Sequence, residues 1–193
     1  MNGWLLLSNA LLLVVVAGLA TVLLALARQI GVLHERTAPA GIVRTRTGLE
    51  PGAAVPTLAA PNLEGQSVSL DAADAGEPIA LLFVAVDCPI CRLVLPAFLT
   101  LTAERTCRAY LVSDGTQIER YAEYGRRYGV ETDRYLVSQA LALEFQVGML
   151  PALVLIDADG HLLVRETVQG PRALERALGK LDGASRPLVS QAG

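Results

Sequence analysis

Two long, predominantly apolar runs stand out in the pattern of hydrophobic and polar positions along the chain. The first, residues 4–27, contains no charged residue. At about 1.5 Å per residue, a helix of this length crosses the roughly 30 Å hydrocarbon core of a bilayer. The second, residues 79–86, contains β-branched and aromatic residues, which is typical of a strand buried on both faces. The pattern therefore predicts one transmembrane helix and the central strand of a globular domain.

The N-terminal run includes an Ala-x-Ala sequence at residues 25–27, the pattern found at the cleavage site of a secretory signal peptide. The run is, however, longer than the apolar region of a signal peptide, and no basic residue precedes it. We therefore expect an uncleaved anchor that contacts the lipid bilayer.

Shorter periodic segments surround the central strand and predict the rest of the domain. The predicted elements are a hairpin over 58–70, the strand 79–86, a helix over 88–104, a strand at 108–112, a helix over 118–128, a strand at 135–137, a helix over 139–147, a hairpin over 151–166 and a helix over 171–181. Tyr121, Tyr124 and Tyr128 recur at helical spacing and predict a packed helix face. This order predicts an α/β fold with a mixed central sheet and helices on both faces.

Proline and glycine mark the domain boundaries. Four prolines and three glycines between residues 37 and 61 indicate a linker without regular structure. The predicted divisions are an anchor with a short helical extension at 1–36, a linker at 37–55, a globular domain at 56–182 and a flexible tail at 183–193.

Net charge and cysteine content restrict the classes of function that the protein can have. The formal net charge of −3 leaves no basic surplus to neutralise phosphates, so we expect no nucleic-acid partner. Three cysteines are too few for a disulfide-framework fold. One close pair and one further cysteine indicate redox chemistry that uses the pair itself, without a separate cofactor or metal.

The close pair is Cys88-Pro89-Ile90-Cys91, between the central strand and the following helix. A Cys-x-x-Cys at such a junction is the thioredoxin-type redox arrangement. The unpaired N–H groups at a helix N-terminus stabilise a thiolate on Cys88. Cys91, one turn into the helix, is close enough to attack a mixed disulfide on Cys88. The spacing therefore predicts a thiol–disulfide exchange site.

Two other interpretations of the pair remain open. A structural zinc site needs two more ligands, and the residues available are Cys107, His34 and His161, none of which belongs to a second paired motif. The pair could also be inert core cysteines. Cys107 itself precedes the strand at 108–112, where we expect a small, buried apolar side chain.

A proline at the start of a later strand supports the redox interpretation. Pro151 precedes the apolar run to residue 156, and a proline lacks the N–H that a central strand needs. With Cys88–Cys91, Pro96 and Leu150-Pro151, the domain resembles the thioredoxin superfamily, and its hairpin and insert resemble the TlpA-like and peroxiredoxin-like branches. The resemblance implies a cis Leu150–Pro151 bond beside the redox pair.

The sequence departs from that superfamily in two ways. Residues 84–87, directly before Cys88, are not the usual aromatic residues. The central strand also carries no acid that could act as a buried proton shuttle for Cys91.

A closer likeness covers nearly the whole chain. Residues 5–16, 25–41, 88–96, 113–115 and 150–160 resemble the MauD family of methylamine utilisation proteins. The resemblance implies an accessory factor that supports disulfide formation in the small subunit of methylamine dehydrogenase. It also implies a single-pass protein of the inner membrane, with its domain in the periplasm beside a membrane or periplasmic redox partner.

The positive charges favour the opposite orientation. Arg28, Arg36, Arg44 and Arg46 all follow the apolar run, and no basic residue precedes it. Counted alone, these arginines place the domain in the cytoplasm.

The expected function is that of a membrane-anchored thiol–disulfide oxidoreductase. One alternative is a peroxiredoxin-like thiol peroxidase, although such enzymes usually carry Thr or Ser three residues before the reactive cysteine, where this chain has Ala85. A second alternative is a non-catalytic maturation chaperone, which predicts that cysteine variants keep their function.

Overall fold

The computed structural model describes residues 2–37 and 49–184. The predicted linker therefore lies largely outside the described residues, as do Arg44, Arg46 and the tail beyond residue 184. Two compact units make up the chain, Met1–Thr45 and Arg46–Gly193.

The first unit contains one long helix, α1, at Asn2–Thr37. It includes all of the apolar run at 4–27, so the helix prediction is confirmed. Among the residues whose side chains the structure describes, no helix is both long and apolar enough to span a bilayer.

The second unit is an α/β domain that follows the predicted element order. Its elements in chain order are β1 (Ala59–Pro61), β2 (Ser67–Ser69), α2 (Ala72–Ala75), β3 (Ile79–Phe83), α3 (Pro89–Ala103), β4 (Arg108–Ser113), α4 (Ile118–Tyr128), β5 (Tyr135–Val137), α5 (Gln139–Glu144), β6 (Ala152–Ile156), β7 (Leu162–Thr167) and α6 (Pro171–Ala184). A 3₁₀ turn at Thr132–Arg134 precedes β5. The sequence pattern predicted neither this turn nor α2, because three or four residues are too few for a periodicity.

The main sheet has five strands in the order β5-β4-β3-β6-β7. Strand β3 pairs in parallel with β4 and antiparallel with β6, so the sheet is mixed, as predicted. Strands β1 and β2 form a separate hairpin. Every residue of β3 is buried, because neighbouring strands cover both its edges and helices cover both its faces.

The alternation of β3 divides the core into two layers. Ala80, Leu82 and Val84 face the layer that includes the buried residues of α3, α4 and α6. Ile79, Leu81 and Phe83 face the layer that includes α5 and the β1–β2 hairpin. The predicted helices on both faces are therefore confirmed.

Three predicted boundaries are wrong by a few residues. Strand β3 ends at Phe83, because the backbone turns away from the sheet after Val84 to reach the helix start. Helix α5 ends at Glu144 and not at residue 147. Helix α6 continues to Ala184, three residues beyond the predicted end at residue 181.

The last residues of the predicted linker pack on the domain. Ala54 forms an isolated antiparallel bridge with His161, and the N–H of Val55 donates to the carbonyl of Gly160 at 2.8 Å. These backbone bonds tie the entry of the chain to the turn between β6 and β7.

Candidate active site

Cys88 and Cys91 lie where the sequence pattern placed them, at the start of α3. They form a disulfide with 5.2 Å between their Cα atoms. Cys88 is the N-cap residue, and its Sγ accepts a hydrogen bond from the N–H of Cys91 at 3.1 Å. The helix N-terminus thus supplies a backbone donor to this sulfur, where negative charge is also favoured by the helix dipole.

The two sulfur atoms differ in their access to solvent. Cys91 is fully buried and packs in the core with Val94 and Leu95, whereas Cys88 is half-buried. Because thiol–disulfide exchange requires an in-line approach to sulfur, only Cys88 is placed to meet a second protein. The geometry assigns different positions to the two cysteines, an outer and an inner one.

The two residues between the cysteines shape the helix start. Pro89 is the first residue of α3, where its missing N–H costs no hydrogen bond and its fixed φ suits a helix. Ile90 is 43% exposed and carries an apolar side chain into solvent beside the disulfide.

The predicted proline lies on the opposite wall of the site. The Leu150–Pro151 peptide bond is cis, which confirms that expectation. The carbonyl oxygen of Leu150 is 4.0 Å from Sγ of Cys88, and the carbonyl of Pro151 accepts a hydrogen bond from Val168 at 2.9 Å. Strand pairing between β3 and β6 thus brings residues 62 positions apart in sequence to one site.

Four exposed apolar side chains belong to the two segments that carry the cysteine pair and the cis-proline. Ile90 and Leu93 lie on α3, and Met149 and Leu150 directly precede Pro151. The segments that form the site therefore present apolar side chains to solvent.

Sequence reasoning missed an ion pair beside the disulfide. Asp87, directly before Cys88, contacts Arg120 of α4 at 2.7 Å. This contact raises the pKa of the Arg120 guanidinium, first through the hydrogen bond and then through the charge of Asp87. The amphipathic pattern predicted α4, but no local signal identified Asp87 as the partner, which is 33 residues away.

Sequence reasoning also missed a buried polar cluster behind the end of β3. The Ser113 hydroxyl donates to the carbonyl of Val84 at 2.9 Å, and the Tyr135 hydroxyl lies 3.0 Å from the same Ser113 oxygen. Since Ser113 has a single hydroxyl hydrogen, Tyr135 is the donor in the second bond. Burial is the main cause that raises the pKa of Tyr135, and the bond to Ser113 opposes it.

The candidate zinc ligands whose side chains the structure describes do not form a metal site. Among the residues that the structure describes, no group of three or more His, Cys, Asp or Glu side chains could hold a metal ion. Cys107 follows the far end of α3, and His161 lies in the β6–β7 turn. The side chain of His34 is outside the described residues.

Cys107 is half-buried against the core and lines a cavity together with Phe98 and Thr102. Burial is the main cause that raises the pKa of its thiol, and the charge of Arg105 opposes the rise. A thiol of this kind is mostly protonated near neutral pH and therefore a weak nucleophile.

The outer and inner cysteines at a helix start, the cis-proline opposite them and the five-stranded mixed sheet together define a thioredoxin-like protein. The thioredoxin domain of a thiol-disulfide oxidoreductase from Bacteroides vulgatus has the same fold, with a TM-score of 0.56 and 21% sequence identity over 69% of this chain and 98% of that domain. The predicted thioredoxin-like α/β fold of the domain is therefore confirmed.

Sequence comparison is more specific. The AhpC/TSA family model matches residues 51–165. The methylamine utilization protein MauD of Methylobacillus flagellatus is 35% identical over 82% of this chain and 78% of its own length. The MauD protein of Paracoccus denitrificans is 32% identical over 92% of this chain and 89% of its own length. The chain therefore belongs to the AhpC/TSA family and to the family of methylamine utilization proteins MauD.

Proposed function

We propose that this protein is a thiol–disulfide oxidoreductase in which Cys88 reacts with the client and Cys91 resolves the mixed disulfide. The observation that carries the proposal is the unequal position of the two sulfur atoms. Sγ of Cys88 is accessible and accepts the N–H of Cys91, whereas Cys91 is fully buried one turn further into α3. A buried thiol cannot meet a client protein, but it can attack the neighbouring sulfur.

The proposed exchange has two balanced steps. The Cys88 thiolate attacks a client disulfide, a bond forms between Cys88 and the client, and one client sulfur leaves as a thiolate. The Cys91 thiolate then attacks Sγ of Cys88, the Cys88–Cys91 disulfide forms, and the second client sulfur leaves with the electron pair. Two electrons pass from the protein to the client. The same steps in reverse oxidise a client dithiol and leave both cysteines reduced.

The N-cap geometry supports the first of these steps and its reverse. In the first step Sγ of Cys88 carries negative charge as the attacking thiolate, and in the reverse of that step it carries the charge as the leaving thiolate. The Cys91 N–H and the N-terminal end of α3 stabilise that charge without any movement of the backbone.

A trapping experiment tests the mechanism. In Cys91→Ala the second step cannot occur, so clients should remain attached to Cys88 and appear on non-reducing gels as adducts that collapse on reduction. Cys88→Ala should form no adduct, and Cys107→Ala should resolve its clients normally. Function that persists in both single variants of the pair would refute the exchange mechanism and favour the non-catalytic chaperone.

We further propose the small subunit of methylamine dehydrogenase as the client. The support is the likeness to proteins named for methylamine utilization, which extends over most of the chain. Mass spectrometry of the Cys91→Ala adduct should identify that subunit, and Cys88→Ala should leave its cysteines reactive to thiol reagents. An adduct with a different protein would refute this client and leave the exchange chemistry intact.

We propose the inner membrane as the location, with α1 as a single-pass anchor and the domain in the periplasm. The described apolar side chains of α1 support the anchor, because those from Leu7 to Val22 are exposed. A periplasmic site also fits the chemistry, since disulfides persist in oxidising compartments. A membrane or periplasmic redox partner would then regenerate the pair.

Thiol labelling in intact cells tests this location. A reagent that cannot cross the inner membrane should modify reduced Cys88 in cells whose outer membrane has been permeabilised, and α1 should keep the protein in the membrane fraction after alkaline extraction. Protection of Cys88 until the inner membrane is lysed would refute the periplasmic orientation.

A thiol peroxidase is the second candidate, favoured by the match to the AhpC/TSA family. Ala85, three residues before Cys88, provides no hydroxyl to hold a peroxide beside the sulfur. A peroxide-consumption assay with the reduced protein separates the two functions. Rapid consumption that depends on Cys88 would favour the peroxidase over the exchange enzyme.

A further inference from the structure

A cavity of about 250 Å³ lies beside the cysteine pair and has no role in the exchange steps. Three basic, two acidic and one phenolic side chain line it: Arg92, Arg120, Arg127, Asp87, Glu123 and Tyr124. Asp87 directly precedes Cys88, and Arg92 directly follows Cys91. A group held in this cavity therefore lies next to the point where a client meets the outer sulfur.

The charges that line the cavity do not cancel. Arg120 contacts Asp87 at 2.7 Å, and Arg127 contacts Glu123 at 3.5 Å. Arg92 forms no ion pair with any residue in the described part of the chain. Three arginines against two carboxylates leave one positive charge here, although the formal net charge of the whole chain is −3. The cavity is thus locally suited to an anion.

Tyr124 provides an independent indication of a ligand. Its side chain is only 4% exposed, yet its hydroxyl has no hydrogen-bond partner among the described residues. Burial raises the pKa of Tyr124 to about 12, Tyr128 adds to the rise, and the charge of Arg92 opposes it. Tyr124 and Arg92 both line the cavity, so a group bound there can contact both side chains. A donor and a cation that have no partner among the described residues match a ligand with two acceptor oxygens.

We propose that this cavity binds a carboxylate of the client polypeptide, carried by an Asp or Glu next to the client cysteine that reacts with Cys88. The carboxylate forms an ion pair with Arg92 and accepts a hydrogen bond from the hydroxyl of Tyr124. The side chains of Arg92, Arg120 and Arg127 are exposed, so they can move to admit it. This inference rests on the proposed exchange function and adds to it a preference for acidic clients.

Two dithiol peptides test the preference with the full-length, oxidised protein. They are identical except for Glu or Gln next to the first cysteine. In each turnover the two peptide thiols become a disulfide, and two electrons and two protons pass to Cys88 and Cys91. The second-order rate constant is measured by acid quench and alkylation of the remaining peptide thiols. Each value is divided by the rate of the same peptide with hydroxyethyl disulfide, because a carboxylate also alters the reactivity of a nearby thiol.

The corrected Glu-to-Gln ratio reports on the cavity, and the rate with the Gln peptide reports on exchange itself. We expect a ratio of about five at low ionic strength, equivalent to about 1 kcal/mol, in spite of the net negative charge of the protein. The ratio should fall towards one as salt screens the interaction. A ratio of one or less would overturn the inference and leave the exchange function standing. Failure of the Gln peptide to react would refute the exchange function and the inference together.

Matched variants test whether the preference for the Glu peptide arises at the cavity. Arg92→Gln should lower the ratio to about one, and Tyr124→Phe, which keeps the buried ring, should lower it to about two. Arg176→Gln removes an exposed arginine of α6 that does not line the cavity, and it should keep the ratio of the unaltered protein. An equal loss in Arg176→Gln would assign the preference to overall charge and overturn the inference. If Arg92→Gln does not fold, an unchanged ratio in Tyr124→Phe overturns it equally.

Discussion

Replacing Tyr135 by Phe removes one oxygen atom from a fully buried side chain. That hydroxyl donates to Ser113 at 3.0 Å, and Ser113 in turn donates to the carbonyl of Val84. The substitution removes one buried neutral hydrogen bond and leaves the Ser113–Val84 bond in place. The expected loss is about 1 kcal/mol of the free energy of unfolding.

Replacing Tyr124 by Phe makes the same chemical change, but we expect the opposite effect on the free energy of unfolding. Its hydroxyl is buried and has no partner among the described residues. An unpaired buried polar group costs about 1–3 kcal/mol, so its removal should raise the free energy of unfolding by about 1 kcal/mol. The two variants should therefore differ by about 2 kcal/mol although each retains its ring.

Urea unfolding of the purified protein, with the cysteine pair oxidised and no client present, measures the difference. At constant m, the midpoint should fall in Tyr135→Phe and rise in Tyr124→Phe. In thermal unfolding the two should be separated by about 6–10 °C for a domain of this size. Equal destabilisation of both variants would refute the argument, because it would mean that hydrogen bonding at the hydroxyl does not decide the cost.

Three further predictions concern pH, the third cysteine and the hairpin. The free energy of unfolding should decrease between about pH 10 and 12, because tyrosines lose their protons near pH 10 in the unfolded chain whereas Tyr124 keeps its proton to about pH 12 in the folded protein. Tyr124 contributes a slope of at most about 1.4 kcal/mol per pH unit, and Tyr124→Phe should reduce the measured slope. Cys107→Ala should leave peptide exchange nearly unchanged, since burial keeps this thiol protonated; a loss of turnover in the same assay would reveal a third redox participant. Asn62→Ala should lower the free energy of unfolding in urea by about 2 kcal/mol, because the buried Asn62 side chain accepts hydrogen bonds from the N–H groups of Glu64 and Gln66 at 3.0 and 2.9 Å. A loss below about 0.5 kcal/mol would contradict this role.

Local patterns predicted most of the elements and the redox pair. The predicted bounds of the helix at 118–128 and the strand at 135–137 coincide with α4 and β5. Tyr121 and Tyr124 are buried on the inner face of α4, as the tyrosine spacing predicted. These predictions succeed because amphipathic periodicity and Cys-x-x-Cys spacing are properties of neighbouring residues, which a helix or strand places on one face whatever the rest of the fold.

Other parts of the site were predicted by resemblance and not by pattern. Nothing in the residues around Pro151 indicates that it faces Cys88; the likeness to the thioredoxin superfamily supplied that expectation, and the cis bond agrees with it. The short helix α2 had no detectable signal, because four residues complete barely one turn.

Only the tertiary structure decided which distant side chains share the space around the disulfide. The order β5-β4-β3-β6-β7 brings Leu150 to Cys88 and places Tyr135 under the end of β3, where it reaches Ser113. Packing of α4 pairs Arg120 with Asp87 and leaves the hydroxyl of Tyr124 without a hydrogen-bond partner in the described part of the chain. A sequence specifies the local faces of helices and strands, whereas contacts between residues far apart in the chain arise from strand order and helix packing. For this protein the sequence predicted the redox pair, whereas the charged cavity beside the pair could be identified only from the tertiary structure.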